Sequence, residues 1–158
     1  MPVPACFRLT RAARDAMAAR AEADYPDETC GFLFGTDDAL EVHPMRNIQN
    51  ELHEREPERF ERTARTAYYF EPKDMARILA AREAAGVRFR AIYHSHPDHD
   101  AYFSETDSLA AAPFGEPNFP GVVYLVFSVR DGRVRDLKAF GWSTEHESFV
   151  ATPLEIVD

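Results

Sequence analysis

His94 and His96 stand two residues apart in the stretch AIYHSHP. On an extended strand such a pair projects to one face, and two imidazoles side by side make a clamp for a divalent metal. Asp107, one turn into a helix that Ser104 opens, offers a carboxylate as a third ligand. Two neutral nitrogens and one carboxylate oxygen suit Zn²⁺ and leave a fourth tetrahedral position for water, whose pKa zinc lowers to about 7. A hydrolytic centre of this kind also needs a proton acceptor and a donor for oxyanion charge. Glu28, just before the apolar run GFLFG, is the candidate general base. The Ser104 hydroxyl is the candidate oxyanion donor.

Each of these residues has a structural use as well. Ser104-x-x-Asp107 is also a helix capping box. Glu28 shares an acidic loop with Asp24 and Asp27, either of which is an alternative carboxylate. Cys30 with a histidine partner is a possible thiol nucleophile, against the plainer reading of a small buried residue at a strand entrance. His99 between Asp98 and Asp100 is a candidate accessory metal site or a solvated loop. Gly31, lacking a Cβ, lets the backbone approach the site closely. Tyr102, Phe103, Phe114 and Phe119 flank the motif and either line a groove for an extended peptide or pack in the core.

The elements that must position these groups follow from pattern. Thr10 caps a first helix that Pro26 ends. Residues 31–35 read as a buried strand, turning through Thr36-Asp37-Asp38 into a second arm over 40–45. Residues 50–66 carry dense alternating charge and read as a solvated loop or exposed helical turn, or as a flap beside the site. A strand is expected over 67–70. A helix follows from Pro72, with Met75, Ile78 and Leu79 as its apolar stripe and Gly86 as its stop. The next strand, 87–96, carries the two histidines, and a short helix opens at Ser104. A hairpin joins 122–129 to 134–142 through Arg130-Asp131-Gly132-Arg133, and 152–157 is a candidate edge strand. The order predicts an α/β fold, a mixed sheet flanked by helices in three layers (α/β/α).

Composition narrows the function classes. A chain of 158 residues that is 45% hydrophobic has enough core for a single domain over 1–158. Lys plus Arg is 18 against 27 for Asp plus Glu, a net charge of −9, which opposes nucleic-acid backbones and anionic membrane surfaces. The longest apolar run, VVYLVF, is far too short to span a bilayer, and no signal-peptide pattern opens the chain. Two cysteines make no disulfide framework, in keeping with a cytoplasmic protein. Zinc-dependent base deamination needs a His-x-Glu and paired-cysteine signature that is absent here.

Taken together, His94-x-His96-Pro97, Ser104, Asp107 and the upstream Glu28-x-x-Gly31 resemble the JAMM (MPN+) motif of zinc metalloproteases at every signature position. The order of elements is similar over roughly residues 7–157, and the phrases AIYHSHP and ETCG look especially like small bacterial and archaeal members. The resemblance implies a cytidine-deaminase-like JAB/MPN fold and one zinc per chain held by His94, His96 and Asp107. It implies Glu28 as acid/base and Ser104 as oxyanion stabiliser. It also implies a ubiquitin-like substrate, and the short linker 113–121, in place of a long insertion, favours sulfur carriers of the ThiS/MoaD kind over ubiquitin. The rival from another class is a non-catalytic scaffold of the same fold, which has no physical need for all five residues.

Overall fold

Period-two alternation runs through the strands and sorts their side chains onto two faces. A computed structural model describes residues 3–158. In it β1 (Phe7–Thr10) runs into α1 (Arg11–Asp24), with Thr10 Oγ1 accepting from the Ala13 N–H at 3.2 Å as N-cap. A hairpin of β2 (Cys30–Thr36) and β3 (Ala39–Met45) leads to the short α2 (Gln49–Arg55) and, after a loop, to α3 (Pro72–Ala84). Then come β4 (Phe89–Pro97), α4 (Glu105–Ala111), β5 (Val123–Arg130), β6 (Arg133–Ser143), β7 (Ser148–Thr152) and β8 (Leu154–Val157).

Six strands form one mixed sheet in the order β3-β2-β4-β5-β6-β7, with β4 and β5 parallel and the other neighbours antiparallel. Strands β1 and β8 pair in parallel as a separate two-stranded sheet. On one face of the large sheet, Met17 and Ala21 of α1 pack with Leu33, Tyr93, Leu125 and Phe127. On the other, Phe32, Ile92 and Val126 are covered by Met75, Ile78 and Leu79 of α3 and by Ala111 of α4. This is the expected α/β arrangement of a mixed sheet between helices. The β5–β6 turn also follows expectation: Asp131 and Gly132 both take positive φ (53° and 77°), the demand of a two-residue hairpin turn.

Two expectations change, one is borne out with an addition, and one strand was not foreseen. Residues 67–70 are not a strand, because the Asn47 side chain takes their ladder: its Nδ2 donates to the Ala67 carbonyl at 3.1 Å and its Oδ1 accepts from the Tyr69 N–H at 3.2 Å. Residues 50–66 are the expected exposed helical turn and solvent-facing loop, though the loop is not free. They begin as α2 and are then tied down, Ala64 N–H to Asn50 Oδ1 at 2.8 Å and the Arg62 carbonyl to Gln49 Nε2 at 2.9 Å. The C-terminal strand is two strands split at Pro153, which has no N–H to continue a ladder. Strand β1, four residues long, is too short to show a period.

Candidate metal centre

Strand alternation delivers the first two groups. In β4, Ala91 and Tyr93 face α1, whereas Ile92, His94 and His96 face α3 and α4. Helix α4 delivers the third. Ser104 is its N-cap, with Oγ accepting from the Asp107 N–H at 3.0 Å, while the Ser104 N–H donates to Asp107 Oδ2 at 3.1 Å. This reciprocal capping box fixes the Asp107 rotamer, so the structural reading of Ser104-x-x-Asp107 and the ligand reading describe the same contacts.

The result is a triangle of donor atoms. His94 Nε2 and His96 Nε2 are 3.2 Å apart, and Asp107 Oδ2 lies 3.2 Å from the first and 3.1 Å from the second. Four ligands at about 2.0–2.1 Å around zinc form a tetrahedron with edges of about 3.3 Å. The three atoms thus make one face of a zinc-sized tetrahedron. The second ring nitrogens sharpen the fit. His96 Nδ1 is 3.0 Å from the Asp100 carbonyl, which can only accept, so this nitrogen carries the proton and Nε2 of the neutral ring presents a bare lone pair. Lone pairs of Nε2 and a carboxylate converging on one point are an arrangement that a cation resolves, and the donor set suits Zn²⁺. Tyr68 stacks on the His94 ring, with centroids 4.7 Å apart and planes 28° apart, and holds its orientation. These three residues are the one group of metal-ligating side chains that converges among the described residues.

Glu28 reaches the site from the loop before β2. Its N–H donates to the Ala64 carbonyl at 2.7 Å and its own carbonyl accepts from Asn47 Nδ2 at 3.0 Å. The neighbouring Thr29 N–H donates to Ser95 Oγ at 2.8 Å, stitching this loop to β4 beside the histidines. The residue is 4% exposed, and its Oε1 is buried with no hydrogen-bond partner. Glu28, His96, Ser104 and Asp107 line one cavity of about 370 Å³, together with Arg62 and Arg65.

The two buried carboxyls are driven in opposite directions. Burial, then the charge of Asp107, raise Glu28 well above the ordinary carboxyl range, against a smaller opposing effect of Arg62. Burial alone would raise Asp107 too, but the neighbouring imidazoles of His94 and His96 hold it far below that range. One carboxyl is kept ionised while the other is poised to hold a proton.

The remaining candidates fall elsewhere. Burial pushes the Cys30 thiol up, so it is no thiolate nucleophile at neutral pH. Gly31 does not open the site: a Cβ there would point to the opposite face and fall inside the Tyr93 ring, 2.5 Å from Cζ. Asp24 accepts from Thr29 Oγ1 at 2.7 Å and is a loop tie, and Asp27 is half-buried beside Asn50. Asp98 accepts from the Tyr25 hydroxyl at 2.7 Å and Asp100 pairs with Arg130 at 2.6 Å, so the loop around His99 is occupied with its own turn. Phe103 packs against Tyr124, Phe140 and Phe149, and Phe119 against Phe89, whereas Phe114 is 92% exposed. Sequence reasoning passed over Asn47, Arg62, Arg65 and Tyr68, since the contacts that bring them to the site come from a loop without periodicity.

Residues 10–141 match the family model described as prokaryotic homologs of the JAB domain. A CysO-cysteine peptidase of Mycobacterium tuberculosis is 32% identical over 126 residues, which is 80% of this chain and 75% of that protein. A solution structure of a Desulfitobacterium hafniense protein superposes with a TM-score of 0.68 at 20% identity, covering 95% of this chain and 92% of the other. A JAB1/MPN domain protein from Archaeoglobus fulgidus superposes with a TM-score of 0.54 at 16% identity, covering 96% and 99%. No helix of the described residues is long and apolar enough to cross a membrane.

Proposed function

The chain belongs to the family of prokaryotic homologs of the JAB domain, and from that premise we propose that it is a cytoplasmic zinc metallopeptidase of one domain. Its substrate is a ubiquitin-like sulfur carrier of the ThiS/MoaD kind. It hydrolyses the bond after the carrier's C-terminal Gly-Gly and releases an amino acid or short peptide. The 32% identity to a CysO-cysteine peptidase supports this substrate class. The observation that carries the chemistry is the donor triangle of His94, His96 and Asp107 beside a buried, unpartnered Glu28 oxygen.

His94, His96 and Asp107 would hold one zinc, which supplies Lewis acidity: it polarises a carbonyl and lowers the pKa of water to about 7. Glu28, at its unpartnered Oε1, takes a proton from the attacking water and returns it to the leaving amine nitrogen. Its raised affinity for a proton makes it a competent acid in the second half of that cycle. Ser104 Oγ already accepts from the Asp107 N–H, which leaves its own proton to donate to the oxyanion. Tyr68 and the Asp100 carbonyl keep the two imidazoles in place throughout.

The test is intact-mass analysis of carriers extended beyond Gly-Gly, incubated with wild type and with Glu28→Gln. Loss of the extension with wild type alone is the expected result. Carriers that survive prolonged incubation with protein binding one zinc per chain would rule out this substrate class.

A further inference from the structure

The cavity holding Glu28 has a basic wall. Arg62 and Arg65 line it, on a chain whose net charge is −9, and neither guanidinium is in an ion pair with a carboxylate of the described residues. Their backbone is rigidly placed. They flank Ala64, which is 2% exposed, whose N–H donates to Asn50 Oδ1 and whose carbonyl accepts from the Glu28 N–H. The Arg62 carbonyl is held by Gln49 Nε2, and Arg62 Nη1 reaches the Thr66 carbonyl at 3.5 Å. The segment that pins the Glu28 backbone therefore also sets two unpaired cations on the wall of its cavity, with Arg62 near enough to act on the carboxyl.

A second cavity of about 370 Å³ adjoins the first, sharing Thr66, Thr106 and Asp107 with it, and has a different character, lined by Tyr68, Phe70, Met75, Ile92, Phe119 and Tyr124 among others. The group that returns a proton to the leaving nitrogen must lie on the leaving-group side. The Glu28 cavity is thus the leaving-group side, and the apolar cavity is left for the acyl side.

We propose, resting on the peptidase reading above, that Arg62 and Arg65 bind the free α-carboxylate of the released residue, which makes this chain an enzyme for single-residue extensions. A carboxylate matches the planar guanidinium fork in geometry and charge. It lies one residue past the scissile nitrogen. A further residue would displace it by about 3.5 Å and set a neutral peptide group against the two cations.

The experiment compares kcat/KM for a ThiS/MoaD-type carrier ending Gly-Gly-Cys with a free carboxylate, its C-terminal amide, and the same carrier ending Gly-Gly-Cys-Ala. Wild type is expected to prefer the free acid over the amide by about 10-fold or more. Arg62→Gln/Arg65→Gln brings that ratio close to one, while Arg62→Lys/Arg65→Lys keeps part of it. Because the first comparison needs no variant, a variant that misfolds leaves the inference exposed to refutation. Equal rates on acid and amide overturn it while leaving the peptidase reading intact, as does an unchanged ratio in the glutamine variant. Cleavage of none of the three carriers overturns both.

Discussion

The two faces of the central sheet are built from the same strands under opposite rules. Strand β4 sends Ala91 and Tyr93 toward α1, into a core of apolar side chains completed by Leu33, Leu125 and Phe127. It sends Ile92, His94 and His96 the other way, where the buried groups include Glu28 and Asp107 and where Glu28 Oε1 and His94 Nδ1 are buried without partners. Apolar burial dominates the first face, where the Tyr93 hydroxyl is, among the described residues, the one side-chain polar atom buried without a partner, whereas desolvated titratable groups cost stability on the second. Stability and chemistry are thus divided by strand parity, so that a change on one face should register in one observable and leave the other nearly alone.

The largest effect expected on the site face is kinetic. Glu28→Gln keeps the shape of the carboxyl but cannot take or return a proton, and kcat should fall by about 10²- to 10⁴-fold. Metal analysis of the same preparation should still find one zinc per chain, since Glu28 is not among the three converging donors. A variant without zinc would mean that Glu28 is part of the metal's own surroundings, and the assigned role would be lost.

On the opposite face the largest effect is on stability. Leu125 is fully buried against α1, and Leu125→Ala should destabilise by roughly 2–5 kcal/mol in chemical denaturation. The kcat per folded molecule should stay within about twofold, because its strand neighbour on the site face, Val126, is untouched. A kcat that drops with stability would show that the two faces are mechanically one unit. Gly31→Ala tests the same division with an added methyl rather than a cavity. Its Cβ would meet the Tyr93 ring on the α1 face, an overpacking worth roughly 1–3 kcal/mol. Tyr93→Leu in the same background should recover part of it, and recovery of activity without recovery of stability would place Gly31 at the site after all.

The same parity explains what could be read from the sequence. His94 and His96 share a face because they are two apart on a strand, and Ser104-x-x-Asp107 is a local capping pattern, so the donor triangle was legible from spacing alone. Glu28 was legible only as an offset from Gly31, and the reason assigned to Gly31 was wrong: its neighbour is Tyr93, a residue far away in sequence. The loop 56–71 was not legible. Its position depends on Asn47, Gln49 and Asn50 side chains bonding backbone groups between Arg62 and Tyr69, and such contacts leave no period in the chain. Arg62, Arg65 and Tyr68 arrive at the site through those bonds.

The smallest effect is the one that measures what the site face costs. Glu28's pKa in the folded chain is raised above its ordinary value of 4.5, chiefly by burial. The folded state therefore binds this proton more tightly than the unfolded state does, and stability falls as pH rises from the unfolded pKa through the raised folded one. Below about pH 4 the group is protonated in both states and Glu28→Gln should be nearly neutral. At higher pH wild type must keep a desolvated carboxylate, whereas glutamine has no proton to lose. In chelator-treated protein the variant should become the more stable of the two by about 1 kcal/mol, a rise in Tm of roughly 2–4 °C at this chain length. Zinc should narrow that gap, because a cation beside Asp107 offsets the charge that Glu28 meets when it ionises. A gap that fails to open with pH would mean that Glu28 carries no desolvation cost, and the contrast between the two faces would then rest on the histidines and Asp107 alone.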